Sequence, residues 1–470
     1  MRPVCFGTIN LEKLLTSVSK IKVTLIDSAI KRHVSGEYSF SKIGRYLRIK
    51  SKDNQKLTLK IPKIIKLTPD LVAFVGLYLG DGNKTGNIGF SQREIHILKF
   101  AYDMELKIFG QNFENRWSIL EDTQRFKTPI MKRKLQPIKK IITSKNKGLS
   151  GKELELAAQR EFLVREFLSK ARHVGLSIKR KEINRPVISP LKGAKKPGES
   201  SLEYIHDLYG SRHFLPLWLK IVYDVTNSII DGEKYEWISW KTSPREASYQ
   251  LDVIKYITQR VRYMTGRGQS KYKVTRGLTD QGFIKISKRG QHTATICAQI
   301  PLNPLFFLVC GLYLAEGDTK KEHIFIFDKK EAPIRVGITS SEERVVRAFV
   351  ELLENLGKDL ISRWKVKVGT KYLVETEEIA QRLGVVTLRG GEKGQGYVRT
   401  QELHEMAKNW ALQEFPFLRK YSDLYTNLEI TGVGIPRVHV MAKTTIDVYF
   451  VALVRDSVFY PYELFKYIKG

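Results

Sequence analysis

The sequence predicts an α+β protein made of two related units, each running helix, two strands, helix, two strands, helix. Three observations carry this. One apolar motif occurs twice: Leu71-Val-Ala-Phe-Val-Gly76-Leu-Tyr-Leu-Gly-Asp81-Gly82 returns as Phe306-Phe-Leu-Val-Cys-Gly311-Leu-Tyr-Leu-Ala-Glu316-Gly317. Each copy leads into a glycine-centred strand pattern, Asn87-Ile-Gly89-Phe-Ser-Gln92 or Arg335-Val-Gly337-Ile-Thr-Ser340. A helical pattern then follows, at residues 94–109 or 342–356, and after it Arg116-Trp117 or Arg363-Trp364. Self-similarity of this kind marks one supersecondary plan used twice.

Residues 1–67 form an N-terminal extension of mixed pattern to which no fold is assigned. The first unit covers residues 68–265. Its opening helix is apolar almost all round, which places it in the interior. Gly76 and Gly80 share one face, as do Gly311 and Ala315. Small residues four apart let two helix backbones approach closely, so the two motif helices are expected to pack about a pseudo-twofold axis within one monomer. An insertion at about 120–215 is basic, with Lys132-Arg-Lys134, Lys139-Lys140, Lys179-Arg-Lys181 and Lys195-Lys196. It holds an amphipathic helix at 153–174, with Leu156, Phe162, Leu163, Phe167 and Leu168 near one face, and a loop at 193–201. Thr226-Asn227 precedes a closing strand pattern at 235–240 that ends at Lys241. Residues 266–302 are a linker that reads as a basic β-hairpin at 272–299. The second unit, 303–470, closes in the same way, with Thr426-Asn427 before a strand pattern at 437–442 that ends at Lys443.

Composition restricts the function. Hydrophobic residues make up 42% of the chain, enough for buried cores. Lys and Arg total 80 against 49 Asp and Glu, a net charge of +31. Such a charge opposes compaction unless an anionic partner offsets it, and nucleic acid is the usual one. The longest apolar runs, around 71–79 and 302–315, are too short to span a bilayer, so no membrane partner is expected. Cys5, Cys297 and Cys310 form no C-x-x-C pair and read as reduced thiols. With no signal peptide, the expected location is the cytoplasm, associated with the nucleoid, or an organellar matrix, and not outside the cell.

The chemistry sits at the motif ends. Asp81 and Glu316 fall in the last turn of their helices, where the helix dipole presents negative charge. Pairing the helices brings the two carboxylates together, where like charges cost more. A divalent cation relieves both. Carboxylate oxygens and the freed backbone carbonyls at Gly80 and Ala315 suit Mg²⁺ or Mn²⁺. Two acids astride a dyad suit metal-assisted hydrolysis of phosphodiesters.

These segments resemble the two motifs of single-chain LAGLIDADG homing endonucleases. Phe74-Val-Gly-Leu-Tyr-Leu-Gly-Asp81-Gly82 and Val309-Cys-Gly-Leu-Tyr-Leu-Ala-Glu316-Gly317 fit the nine positions, with Leu79 and Leu314 in place of the first acid. The stretch from Gly311 to Lys320 is similar to archaeal members. The resemblance leaves residues 1–67 and the insertion outside. It implies a site-specific endonuclease for double-stranded DNA, with Asp81 and Glu316 catalytic. It also implies αββαββα units whose saddle-shaped antiparallel sheets lie in the DNA major groove. A two-stranded ribbon does fit that groove. Outward-facing Arg116, Ser118 and Arg125, and Arg363, Lys365 and Lys367, are then candidate DNA contacts. Gln92 and Arg93 hold the place of the polar pair beside the scissile phosphate, where the second half has Thr339-Ser340, so the two sites are expected to be unequal. Lys241 and Lys443 fit the place of the basic group that orients the attacking water or stabilises developing charge. Lys84, Lys320 and Lys321 follow the motifs as further DNA contacts. For residues 1–67 and the insertion, charge alone points to additional DNA contacts.

Two other functions use the same fold: a maturase that binds intron RNA, and a regulator that binds DNA without cutting. Retention of both acids argues against the regulator. Residence inside a self-splicing intein is a fourth possibility. The chain begins Met1-Arg2 and ends Lys469-Gly470, without a splicing nucleophile or a terminal His-Asn, and reads as free-standing.

Overall fold

The computed structural model describes residues 4–18, 20–27, 30–54, 56–145, 148–189, 202–247, 249–261, 272–279, 282–288, 292–319, 324, 335–369, 396–397, 401–431 and 436–469. The architecture is α+β with several sheets, antiparallel in all but two strand pairings among the described residues. The N-terminal extension has a fold of its own. Strand β1 (Gly7–Asn10) and helix α1 (Leu11–Ser17) precede β2 (Lys20–Asp27), β3 (Ile30–Ile43), β4 (Tyr46–Ser51), β5 (Thr58–Pro62) and β6 (Ile64–Leu67). Strands β2 to β5 make a four-stranded antiparallel meander. Its sequence alternates with period two: Ile21, Val23, Leu47, Ile49, Leu59 and Ile61 are buried, and Lys20, Lys22, Arg48, Lys50 and Lys60 are exposed. Gly44, at φ +54°, makes the tight turn between β3 and β4. The inner face packs on the first half, where the Tyr38 hydroxyl donates to the His213 carbonyl at 2.8 Å.

Helix α2 (Pro69–Asp81) opens the first half. It is followed by β7 (Gly89–Gln92), α3 (Ile95–Phe109), β8 (Glu114–Asp122), α4 (Pro129–Lys145), α5 (Gly151–His173), β9 (Val187–Ser189), β10 (Glu203–Tyr209), α6 (Leu215–Ile230) and β11 (Ile238–Trp240). The sheet order is β7-β10-β8-β9. The amphipathic helix of the insertion is α5, started by a capping box at Ser150 and Glu153. The expected loop at 193–201 lies outside the described residues.

The connection to the second half is β12 (Gln250–Asp252), β13 (Tyr272–Thr279), β14 (Phe283–Lys288), β15 (His292–Cys297) and β16 (Gln299–Pro301). The expected hairpin is a meander of β13, β14 and β15, because the turn signals around residues 280–282 and 289–291 divide the run twice. Helix α7 (Pro304–Glu316) then opens the second half, followed by β17 (Gly337–Ser340), α8 (Glu343–Leu356), β18 (Gly357–Lys358), β19 (Ile361–Gly369), β20 (Gly396–Tyr397), α9 (Gln401–Glu414), β21 (Tyr425–Thr431), β22 (Arg437–Ala442) and α10 (Asp447–Val458). Its sheet order is β17-β22-β19-β21-β20.

Strands β7-β10-β8 and β17-β22-β19 follow the same plan. Gln92 faces Tyr204 as Ser340 faces Val438, and Trp117 faces His206 as Trp364 faces Val440. Two expectations need correction. Between α2 and α3 there is one strand where two were expected. Residues 83–88 make a turn in which the Asn83 side chain accepts from the Thr85 amide at 3.1 Å and Gly86 sits at φ +99°. The closing match was also misplaced. Thr226 and Asn227 lie inside α6, whereas Thr426 and Asn427 lie in β21. The strand that matches β22 is β10, and residues 238–240 pair instead with β1. A Thr-Asn pair carries too little pattern to fix a register across a long insertion.

Candidate active site at the paired motif helices

Each motif helix is started by the same device. Thr68 and Asn303 accept from the amides of Leu71 and Phe306 at 3.3 and 2.9 Å, and each is followed by proline. Leu71 to Leu79 and Pro304 to Leu314 are buried without a gap. The helices touch backbone to backbone. A methyl group on Gly76 would overlap the Leu308 carbonyl, and one on Gly311 would overlap the Ala73 carbonyl. One on Gly80 would collide with the Ala315 methyl and come within 3.3 Å of the Glu316 Cγ. The seam is therefore tightest at Gly76 and Gly311, and it is still closed at Gly80, beside the acids.

Both helices end alike. The amides of Gly82 and Gly317 donate to the carbonyls of Tyr78 and Tyr313 at 3.0 and 2.9 Å, and the chain leaves extended. Each glycine then bridges to its sheet, Gly82 to Phe90 and Gly317 to Ile338. Neither glycine has a positive φ. A Cβ there would strike the ring of Tyr78 or Tyr313 beneath it, so the acid-glycine pair is dictated by close packing on the tyrosine and not by a turn. The Tyr78 hydroxyl donates to the Asn83 carbonyl at 2.8 Å, and the Tyr313 hydroxyl bonds Thr319 Oγ1 at 2.6 Å.

Asp81 and Glu316 lie close enough to feel each other. Burial pushes the Glu316 carboxyl above the usual carboxylate range, and the Asp81 charge raises it further, while Lys84 and Arg437 pull it back. The donors here are oxygen atoms: two carboxylates and the last-turn carbonyls at Gly80 and Ala315, which a helix leaves without internal partners. That donor set fits Mg²⁺ or Mn²⁺, which take one or two protein carboxylates and complete their shell with water and phosphate oxygens. Among the described residues no group of three or more His, Cys, Asp and Glu is placed to hold a metal, so the pair itself is the candidate centre.

The surroundings of the two acids differ. Gln92, 2% exposed, donates from Nε2 to Asp81 Oδ2. In the second half the matching Ser340 turns away and accepts from the Glu342 amide at 3.1 Å. A polar network stands there instead. His439 pairs with Asp318, Thr339 donates to Asp318 at 3.3 Å, and Lys367 donates to Thr339 at 3.4 Å. By register, Ile205 and Leu120 take the places of His439 and Lys367 in the first half.

The basic candidates separate into three groups. Arg363, Lys365 and Lys367 alternate with buried Trp364, Val366 and Val368, so they stand on the open face of β19. Lys365 is held by Glu429. Arg116 lies flat on the Tyr209 ring, 3.1 Å from its centroid, Ser118 accepts from Asn184 at 2.9 Å, and Arg93 is exposed beside Gln92. Arg125 and Lys241 are misassigned. Arg125 is only 15% exposed and is clamped at 2.7 Å by both Glu121 and Glu166, because the Asp122 side chain caps a 3₁₀ turn that folds it back onto α5. Lys241 is bonded through its amide to the Phe6 carbonyl at 2.9 Å, and the Phe6 ring packs at a tilt against Phe307 in the first turn of α7. It therefore sits toward the opposite end of the helix pair from the acids, about 13 Å along the axis at 1.5 Å per helical residue. Lys443 follows the end of β22, whereas Arg437, which acts on Glu316, is at its start. Lys320 and Lys321 lie outside the described residues.

Arg437 is the residue that the sequence reading missed. Its alternation with Val438 and Val440 carried the signal, but the face it occupies depends on pairing with residues 337–340. Comparison with known proteins adds no name: no family model, no curated protein and no solved structure matches the chain.

Proposed function

We propose that the chain is a metal-dependent, site-specific endonuclease for double-stranded DNA, built on the LAGLIDADG plan and acting as a single chain with internal pseudo-twofold symmetry. One observation carries the reading: two acids from a repeated motif meet across a backbone-to-backbone helix seam, at the edge of two sheets that share a strand plan. Packing alone supplies no reason to bring two carboxylates together at the negative ends of two helices. The repeated registers support the two αββαββα-type units, and the alternating cations of β19 support a DNA-facing sheet.

In this reading Asp81 and Glu316, with the carbonyls of Gly80 and Ala315, hold Mg²⁺ or Mn²⁺. The bound cation supplies Lewis-acid activation of water and stabilises charge on the phosphate. Gln92 fixes the rotamer of Asp81. Lys84 and Arg437 lower the cost of two adjacent carboxylates before DNA arrives, and they offer cationic hydrogen bonds to the phosphate. Arg116, Arg363, Lys365 and Lys367 position the duplex by its backbone or its base edges. A cytoplasmic or organellar setting is consistent with this partner, and among the described residues no helix is long and apolar enough to cross a membrane.

The test is cleavage of plasmid DNA carrying the gene's own flanking sequence, with Mg²⁺, Mn²⁺ or EDTA. The expected result is a double-strand cut at one site that needs metal. It should fall by roughly 10²–10³-fold or more in Asp81→Asn and Glu316→Gln, with binding retained. Tight binding without cutting under either metal would reject the enzyme and leave a binding protein.

A further inference from the structure

The N-terminal sheet has two unlike faces. The inner one is apolar and rests on α6, with Tyr38 stacked on Phe214 at 6.1 Å. The outer one carries more cations than acids, and Lys60 there lies over the Tyr46 ring at 4.9 Å without meeting a carboxylate. Pairing puts Arg48 of β4 directly opposite Lys60 of β5. Like charges directly across a strand pair destabilise a sheet, yet no acid lies between these two in the register: Ser41 flanks Arg48 on β3, and the next row is Ser39, Lys50 and Thr58. The acid on this face, Glu37, is taken up by Lys20 at 3.7 Å and Lys52 at 3.3 Å. Lys22, Arg48, Lys50 and Lys60 are exposed, among serines and threonines short enough to let an anionic backbone approach.

The contrast with the insertion is instructive. There some of the cations are answered by acids of the same segment: Arg125, Lys139, Arg165 and Arg180 each meet a glutamate of α5. On the outer sheet face, among the described residues, Arg48, Lys50 and Lys60 meet no such carboxylate.

We propose that this face binds the sugar-phosphate backbone of the same duplex that enters the candidate active site, on one flank of the cut. The inference rests on the duplex-binding half of the function proposed above, and not on cleavage. Cationic and hydroxyl-rich, the face matches phosphate contacts, which position a duplex without reading its sequence. A lipid surface fits less well, since among the described residues none of the exposed large apolar side chains lies within residues 20–62. Continuity with the site is physical. The Asn112 side chain accepts from the Lys60 amide at 2.9 Å and donates to the Lys60 carbonyl at 2.8 Å, and residue 112 leads into β8, which bears Arg116.

The experiment uses the full chain and a duplex of its own flanking sequence, in EDTA so that binding is read without cutting. The variants are Lys60→Glu and the triple Arg48→Gln/Lys50→Gln/Lys60→Gln. Each lost phosphate contact should make the slope of log affinity against log salt shallower by about 0.9, so the triple should lose roughly 2–3 in slope. Footprinting should lose protection on one flank alone. Lys60→Glu should weaken binding while raising the melting temperature, because it gives Arg48 an acid partner; a purely structural role would move both in one direction. An unchanged slope and footprint in the triple, or failure of the wild-type chain to bind duplex at all, overturns the proposal. Wild-type binding that never leads to cleavage, with the slope change intact, rejects the enzyme and leaves this surface standing.

Discussion

The two halves share a strand plan and a helix cap, yet they treat their acids differently. Asp81 is gripped by a buried amide, Gln92, while Glu316 is half-buried near Lys84 and Arg437 and has no matching amide in the second strand. The difference teaches how a duplicated scaffold diverges. Residues that set the backbone, such as the glycines and tyrosines of the motif, stay matched. The polar residues around each acid are free to change, because their bonds do not hold the fold.

The largest expected effect that tests this contrast is on strand-specific cutting. Gln92→Ala should slow the strand served by Asp81 by roughly 10–100-fold, the usual loss when the partner of a metal-ligating carboxylate is removed. Ser340→Ala should leave both strands unchanged. Equal slowing of both strands, read with each strand end-labelled in turn, would mean the halves are not functionally distinct. Next comes the seam that the halves have in common. Gly76→Ala and Gly311→Ala should each destabilise the chain by about 1–3 kcal/mol through overpacking, and by similar amounts, measured by denaturant melts. A tolerant Gly76 beside an intolerant Gly311 would break the symmetry of the seam.

Smaller still is a titration effect. Burial and Asp81 hold the Glu316 carboxyl above its usual range. A raised value means that the protonated form persists to higher pH, so Asp81→Asn should move the Glu316 titration down, toward an ordinary glutamate. Carboxyl NMR of the metal-free chain reads this, and no movement would show that the two acids are not coupled. Least of all should be Lys241→Ala, at the far end of the helix pair, with cleavage within about twofold of wild type, since surface changes away from such features have little effect.

The repeat, the buried helices and the acids were legible in the sequence because they are local and occur twice. Gln92 was legible too, because the short β7 leaves little freedom in register. Arg125 and Lys241 were not. A strand-face pattern cannot show that Asp122 turns the chain back onto α5, nor that residues 238–240 leave the unit to pair with β1. Arg437 was hidden for the same reason, as cross-strand register is set by residues far apart in the chain. The N-terminal sheet escaped notice because its alternation is divided among short strands whose polar rows look like loops until they are paired.

The glycine seam has one more consequence. Nothing compressible lies between α2 and α7, so the gap between the two carboxylates works as a fixed gauge. Loops and sheets can drift with the sequence they recognise, but the spacing of any two cuts across the groove would be set by this gauge alone. Target preference and cut geometry would then be inherited from separate parts of the molecule, and a variant with a new site should still leave ends of the old length.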